Sequence, residues 1–267
     1  MEIDNFEILM NHMDFVDPND RYIVHIMRRP KDCAQLKNEL GSNEAQRLIR
    51  TYYVDNKEYL QNKIPAIKEL CNSCNARAYL IVQPKDNFEC LLNLGKKILE
   101  TIQNKNYSVK PEHLLRQAYC ENHRSRKKMW ILDLDDDCMD VYTECTNTKN
   151  PYIISTKHWT KDDVIKLVKD ELRAIQDIEL KKNPRLYATW LEDQVYEVKT
   201  RNGCHIITPP FNLKSAYSKC SMMFEGEKTF VKKIPCGPAE YDDVHEKRVG
   251  WLHKDGMTLL YANLKDK

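Results

Sequence analysis

Apolar residues in the first hundred positions alternate between two periods, which predicts strands and helices in turn. Alternation in residues 21–29, with Tyr22, Val24 and Ile26 on one face, and the apolar run 76–82 predict two strands. Helical spacing predicts helices over residues 43–53, 56–72 and 86–102, with a restart at Pro65 and a stripe of Leu91, Leu92, Ile98 and Ile102 in the last. This order favours a layered α/β or α+β fold over a helical bundle.

The rest of the chain combines one long amphipathic helix with several short strands. A 3.6-residue apolar period predicts a helix over residues 161–180, with Thr160 as its N-cap. A short helix is expected to begin near Pro111, and strands are predicted over 127–134, 195–199, 205–208, 228–232 and 257–262. Without a repeat or a linker, we expect one compact domain over 1–267, which, if divided, separates into 1–105 and 106–267.

Composition narrows the class of protein. A chain of 267 residues with 42% hydrophobic and 31% charged residues can form a real core. Lys and Arg total 42 against 40 for Asp and Glu, so a nucleic-acid-binding surface has to be local. The seven glycines are spaced too widely for a P-loop or a dinucleotide fingerprint, which excludes P-loop NTPases, Rossmann dehydrogenases and protein kinases.

The ten cysteines show no framework spacing, and the sequence contains no apolar run long enough to span a membrane. We therefore expect free thiols in a reducing cytoplasm and no membrane partner. Cys71 and Cys74 (C-x-x-C), together with Cys120 and His123 (C-x-x-H), are candidate ligands of a structural zinc ion. The alternative is that Cys71 simply ends an amphipathic helix.

A run of acids follows an apolar strand. Residues 130–137 read WILDLDDD, and alternation along a strand places Asp133 and Asp135 on the same face. Two neighbouring carboxylates repel each other unless a cation lies between them, and Mg²⁺ or Mn²⁺ suits such ligands. The alternative interpretation is a solvated acidic turn that includes Asp136, Asp137 and Asp140.

A second segment, residues 199–212, reads KTRNGCHIITPPFN. Asn202-Gly203 marks a turn between two strand-like runs, and His205 opens the outgoing strand. With Lys199 and Arg201 on the incoming strand, these side chains can converge on a phosphate group. A histidine with a purely structural role is the alternative.

Together these segments resemble the archaeo-eukaryotic primase superfamily, the primase–polymerases, and its small phage-borne members above all. Asp133-Leu134-Asp135 is similar to the first motif of the family, and Gly203-Cys204-His205 is similar to the second. The third motif is an acid near a later strand. Asp255 is the candidate here, with Asp242 and Asp243 as alternatives, because Trp251-Leu252 stands where a hydrophobic–acid pair is expected.

The resemblance implies a primase–polymerase-like catalytic core preceded by a strand–helix unit, and template-directed nucleotidyl transfer. Asp133, Asp135 and Asp255 would hold two Mg²⁺ or Mn²⁺ ions, while His205, with Lys199 or Arg201, would contact the triphosphate. It also implies nucleoside triphosphates, a single-stranded template and a replicative helicase as partners, in a cytoplasm that is the host's if the chain is phage-encoded. The alternatives are a nucleic-acid or nucleotide-binding protein of the same fold without turnover, or a metal-dependent nuclease using the same acids.

Two basic segments complete the candidates. A cluster before the acid strand either contacts template backbone or is a solvated lead-in; it comprises His123, Arg124, Arg126, Lys127 and Lys128. Cations and aromatic residues are mixed in Arg47, Arg50, Tyr52 and Tyr53, where packing of the tyrosines is favoured over base stacking.

Overall fold

The computed structural model describes residues 1–29, 47–106, 108–121, 127–135, 140–145, 152–158, 160–182, 191–212, 224–225, 244–246, 250–253 and 256–263. The chain divides into two compact units, Met1–Lys128 with Asp255–Lys267, and Met129–Lys254. The boundaries therefore fall after Lys128 and Lys254, whereas the sequence pointed to a division between residues 105 and 106. The last strand of the chain returns to the first unit.

The described elements alternate at first and are mainly strands later. The strands are β1 (Glu2–Asp4), β2 (Asp20–Arg28), β3 (Arg47–Val54), β4 (Arg77–Asp86), β5 (Trp130–Asp135), β6 (Asp140–Cys145), β7 (Tyr152–His158), β8 (Tyr196–Lys199), β9 (Gly203–Thr208), β10 (Phe224–Glu225), β11 (Val244–Glu246), β12 (Gly250–His253) and β13 (Met257–Asn263). The helices are α1 (Phe6–His12), α2 (Lys57–Cys74), α3 (Asn87–Gln103), α4 (Pro111–Cys120) and α5 (Lys161–Lys182), with a 3₁₀ helix over Leu191–Gln194. No helix among these residues is long and apolar enough to cross a bilayer.

The first unit is built on an antiparallel sheet in the order β1–β13–β4–β2–β3. The predicted strand β2 is confirmed, and Tyr22, Val24 and Ile26 are all buried on one face. On the other face, Ile23 packs with Cys90 of α3 and Tyr119 of α4. Helices therefore lie against a mostly antiparallel sheet, which confirms a mixed fold of the α+β kind.

The helix predicted over residues 43–53 is wrong, because the described part of this segment forms strand β3. Its residues pair with β2 along their length, from Val54 opposite Tyr22 to Arg47 opposite Arg28. Tyr52, Tyr53 and Val54 are aromatic or β-branched and suit a pleated surface better than a helix. A short apolar run does not distinguish the two periods by itself, and pairing with β2 decides the outcome.

The predicted restart at Pro65 is also wrong, since α2 runs without a break from Lys57 to Cys74. Proline removes one hydrogen bond from the helix interior. Leu60 and Ile67, on either side of Pro65, are both fully buried. We attribute the continuity of the helix to this packing, which outweighs the local loss.

Helix α3 was predicted correctly as an element, but its apolar stripe does not lie in the core. The stripe members are between 42% and 61% exposed: Phe88, Leu91, Leu92, Ile98, Leu99 and Ile102. The helix begins at Asp86, whose side chain accepts hydrogen bonds from the backbone N–H groups of Phe88 and Glu89 at 2.9 and 3.2 Å. Its buried side is instead the one that carries Cys90.

The second unit contains two sheets, ordered β10–β12–β5–β9–β8 and β11–β6–β7. All described strand pairs are antiparallel except β10–β12. Strands β6, β7, β11 and β12 were not predicted from the sequence, and Asp140, interpreted there as part of a solvated turn, begins β6. The strand predicted over 228–232 lies outside the described residues.

Helix α5 packs on the larger sheet of this unit, and its predicted cap is confirmed. The Thr160 hydroxyl accepts from the Asp163 N–H at 3.2 Å, and the Asp163 carboxylate accepts from the Thr160 N–H at 2.9 Å. This reciprocal arrangement is a capping box. Val164, Val168 and Leu172 of the helix are fully buried against the sheet.

Candidate functional site

The two sequence motifs lie on adjacent antiparallel strands. In the register of β5 and β9, Asp133 stands directly opposite His205, and Asp135 stands opposite Gly203. Directly opposed residues share one face of a sheet, so Asp133 and His205 lie side by side on the same face. The prediction that His205 lies on the strand next to the acids is therefore confirmed.

The register is fixed by the other face of the same two strands. There, the alternate residues Leu132, Leu134, Cys204 and Ile206 are buried with Val164, Val168 and Leu172 of α5. A slip by one residue would place the Asp133 carboxylate in this apolar core and bring leucine to the candidate site. The hydrophobic alternation of the strands thus determines where the acid and the histidine point.

Asp133 and His205 are in contact. His205 Nε2 lies 3.3 Å from Asp133 Oδ1, and the two side chains are 13% and 30% exposed, respectively. Buried apolar residues flank the pair, with Val198 opposite His205 on β8 and the Ile131–Ile207 pair next along the face. A partly desolvated site strengthens the electrostatic interaction of each of these two groups with a bound ligand.

The distance between the pair also suits metal binding. Two donor atoms that each lie about 2.1 Å from a shared ion, at tetrahedral to octahedral angles, are about 3.0–3.4 Å apart. Asp133 Oδ1 and His205 Nε2 meet this condition. The arrangement therefore fits a divalent ion bound by Asp133, with His205 either as a second ligand or as a donor to a phosphate oxygen.

The remaining predicted metal ligands are only partly described. The backbone of Asp135 continues the face that carries Asp133, but its side chain is outside the described residues, as is the whole of Asp255. Asp242 and Asp243 are outside them too. Within the described ranges, no three His, Cys, Asp or Glu side chains lie together at metal-ligand spacing. A third ligand is still a prediction.

The cations predicted near His205 are placed differently from each other. Strands β8 and β9 form the predicted hairpin, in which the Thr200 N–H donates to the Gly203 carbonyl at 3.0 Å. Arg201 lies in this loop, and not on the incoming strand. Lys199 stands opposite Cys204, so it lies on the face turned toward α5 and not on the face of His205.

The face of β8 that carries Lys199 is tied to the start of α5. Lys161 Nζ donates to Glu197 Oε1 at 3.0 Å, and this hydrogen bond raises the pKa of Lys161. Glu197 and Lys199 alternate with Val198, which lies on the opposite face beside His205. Only Arg201, at the end of the hairpin, is therefore placed on neither face by strand alternation.

One residue of the candidate face was not selected from the sequence. In the pairing of β12 with β5, Trp251 stands opposite Asp133 and His253 opposite Ile131, so His253 shares the face of Asp133 in a diagonal position. The His253 side chain is exposed. Recognising β12 as a strand next to β5 would have revealed it, but its four residues are too short for a periodic signal.

The predicted zinc site is only partly described. Cys71 and Cys74 are free thiols at the end of α2, while the Cys120 side chain and the whole of His123 are outside the described residues. Burial, followed by the nearby Cys74, raises the pKa of Cys71 to about 12. Because zinc binds the thiolate, Cys71 would have to lose its proton inside the core. Zinc binding stays a prediction.

Comparison of the chain with known protein families, with curated proteins and with solved structures found no match in any of the three.

Proposed function

We propose that the unit Met129–Lys254 carries out template-directed, divalent-metal-dependent nucleotidyl transfer, as a DNA primase or primase–polymerase does. The single observation that supports this most is the contact of Asp133 with His205, two residues from separate motifs that stand opposite each other on adjacent strands. The motif order along the chain and the common face of Asp133 and the Asp135 backbone add to it.

In this proposal, each side chain has a distinct role. Asp133, with Asp135 and a third acid such as Asp255, holds the divalent ions. When bound, these ions align a 3′-hydroxyl with the α-phosphate of a nucleoside triphosphate and offset the developing charge. The His205 imidazole donates from Nε2 to a phosphate oxygen, and Arg201 in the hairpin loop adds positive charge. Lys199, on the opposite face, contributes only if its side chain passes around the end of β8.

Metal binding is the first step to test. We expect Asp133→Asn to lower the affinity for Mn²⁺, measured by calorimetry on the full chain, by at least tenfold, because one of its few oxygen ligands loses its charge. Asp177→Asn, on the exposed side of α5, is the matched control and should bind like the parent. Equal affinities in the two variants would place the metal elsewhere.

Incubation with a labelled primer–template, nucleoside triphosphates and Mn²⁺ separates the candidate reactions. Extension of the primer supports nucleotidyl transfer, whereas shortening of the strand identifies a nuclease. Binding without either product identifies a protein that has kept the site for recognition only. Loss of the product in Asp133→Asn, with Asp177→Asn active, would assign the activity to this chain and to this site.

A further inference from the structure

The first unit contains a cleft that the proposed reaction does not use. It has a volume of about 640 Å³ and lies between strand β3 and helix α4. The residues that line it come from these two elements and the residue before α4: Leu48, Ile49, Arg50, Thr51, Tyr53, Lys110, Glu112, His113, Leu115 and Arg116. Because β3 is the last strand of its sheet, the cleft runs along the outer edge of that sheet.

Positive charge is concentrated at this cleft. Arg50, Lys110 and Arg116 line it, against a single carboxylate, Glu112. Among the described residues, none of these three cations forms an ion pair with an acid. In a chain whose formal charge is only +2, three such cations around one opening are a local basic site.

The most buried of the three cations is held in place by a neutral acceptor. The Arg116 guanidinium lies 2.8 Å from His113 Nδ1, which accepts its hydrogen bond and so carries no proton there. Behind it, His25 Nδ1 contacts the Thr51 hydroxyl at 2.9 Å. Burial, followed by the charge of Arg116, lowers the pKa of His25 to about 4. Neither histidine neutralises the guanidinium, whose charge is available to an anion.

An aromatic ring is fixed beside these cations. Tyr53 lines the cleft, and its ring packs against that of Tyr119 with 4.6 Å between centroids. The Tyr119 hydroxyl in turn donates to Asn87 at the start of α3. Tyr53 is therefore an ordered, half-exposed surface on which a planar group can stack. Cations that follow a backbone, combined with such a ring, are typical of sites for single-stranded nucleic acid.

We infer that this cleft binds a single nucleic-acid strand, with phosphates at Arg50, Lys110 and Arg116 and a base on Tyr53. An extended peptide added to the free edge of β3 is the other ligand that an edge strand admits. The excess of cations favours the phosphate backbone over a peptide. The binding is argued from the cleft alone, while its use as a template site rests on the proposed nucleotidyl transfer.

Fluorescence anisotropy with a labelled oligothymidine tests the inference. The triple variant Arg50→Gln, Lys110→Gln and Arg116→Gln should bind at least tenfold more weakly at about 0.1 M salt, since each lost phosphate contact lowers the salt slope by about 0.7. The matched control replaces Lys63, Lys96 and Lys105, exposed or half-exposed residues of the same unit, by Gln. The control changes the net charge equally and should bind like the parent.

Stacking is tested separately from charge. Tyr53→Leu should weaken the oligonucleotide by on the order of tenfold, whereas Tyr53→Phe, which keeps the ring, should restore most of the affinity. Circular-dichroism melting of each variant checks that the fold persists. Equal losses in Tyr53→Leu and Tyr53→Phe would contradict a stacking role.

Three results would overturn the inference. The first is an equal loss in the lysine control, which would indicate non-specific attraction. The second is binding of thymidine triphosphate as tightly as the oligonucleotide, which would assign the cleft to free nucleotides. The third is unchanged oligonucleotide binding in the triple variant, with or without capture of an extended peptide.

The test also keeps this inference apart from the proposed reaction. The triple variant should bind Mn²⁺ like the parent, and Asp133→Asn should bind the oligonucleotide like the parent. If strand binding fails and Mn²⁺ binding is normal, only the cleft inference is wrong. If Mn²⁺ binding at Asp133 fails and the strand still binds, only the proposed function is wrong.

Discussion

At the scale of single residues, His205 is placed for chemistry more than for stability. Its side chain retains 13% exposure and its contact is Asp133, which is itself 30% exposed. The apolar core that fixes the strand lies on the opposite face, where Cys204 and Ile206 are buried. Removing the imidazole therefore leaves the packing of β9 on α5 intact.

His205→Ala should reduce nucleotide incorporation by roughly 10²-fold while the melting temperature changes by only a few degrees, because the lost group is a donor to developing negative charge. Primer extension and thermal unfolding on one preparation give both quantities. A strongly destabilised variant with normal nucleotide affinity per folded molecule would instead identify a structural histidine. Cys204→Ala, on the buried face of the same strand, is a comparison in which stability is expected to fall first.

His25 makes a prediction about pH. Burial, followed by Arg116, lowers its pKa from 6.5 to about 4, so the unfolded chain binds a proton more readily than the folded chain between these values. The stability due to this group is complete above pH 6.5 and is lost as the pH falls toward 4, with an upper limit of about 3 kcal/mol.

Urea unfolding of the parent and of His25→Gln at pH 7, 5.5 and 4.5 isolates this contribution. The glutamine keeps a polar partner for Thr51 but does not titrate in this range. We expect the difference in the free energy of unfolding between the two proteins to shrink as the pH falls. A difference that is constant from pH 7 to 4.5 would show that His25 titrates normally in the folded chain.

At the scale of elements, strong periodicity predicted existence and type better than it predicted environment. The long helix α5 could be predicted together with its cap, because Thr160 and Asp163 satisfy each other locally. Strand β3 could not, because its hydrogen bonds go to β2, more than twenty residues away. Helix α3 shows the same limit, since a stripe such as Leu91 and Ile98 specifies a face but not whether another element covers it.

Helix α3 carries a glycine whose replacement should be stabilising. Gly95 lies in the interior of the helix, and a Cβ atom added to it would have no heavy atom within 4 Å. Gly95→Ala should raise the free energy of unfolding by roughly 0.5–1 kcal/mol, because alanine loses less backbone entropy in a helix. Urea unfolding measures it, with Gln103→Ala at the frayed end of the helix as the comparison. A clear loss of stability in Gly95→Ala would show that this face is covered in solution.

At the scale of the whole molecule, the candidate site is the part that could best be predicted from the sequence. Asp133 and His205 belong to two local motifs, and the strand pairing that joins them follows from the apolar residues between them. Lys199 could not be placed, because its face depends on the register of the β8–β9 hairpin. The cleft at Arg116 could not be found either, since β3 and α4 approach each other only through the tertiary fold.

Because the chain forms two units, each proposed ligand should protect only its own unit. Saturating Mn²⁺ binds the folded state and stabilises it by about 2.7 kcal/mol at a hundred times the dissociation constant. Hydrogen-exchange mass spectrometry should therefore show slower exchange in peptides of β5 and β9 with Mn²⁺. An oligothymidine should slow exchange in β3 and α4, and each effect should be absent from the other unit.

The variants give this last prediction its controls. In the double variant Asp133→Ala and Asp135→Ala, Mn²⁺ should no longer slow exchange in β5 and β9, while the oligothymidine effect on β3 and α4 persists. Without metal, this variant should melt no lower than the parent, because it lacks the repulsion between neighbouring carboxylates. Protection of β5 by Mn²⁺ in the double variant would contradict the metal site. Protection of β5 by the oligothymidine, with none at β3, would move strand binding to the unit that contains Asp133.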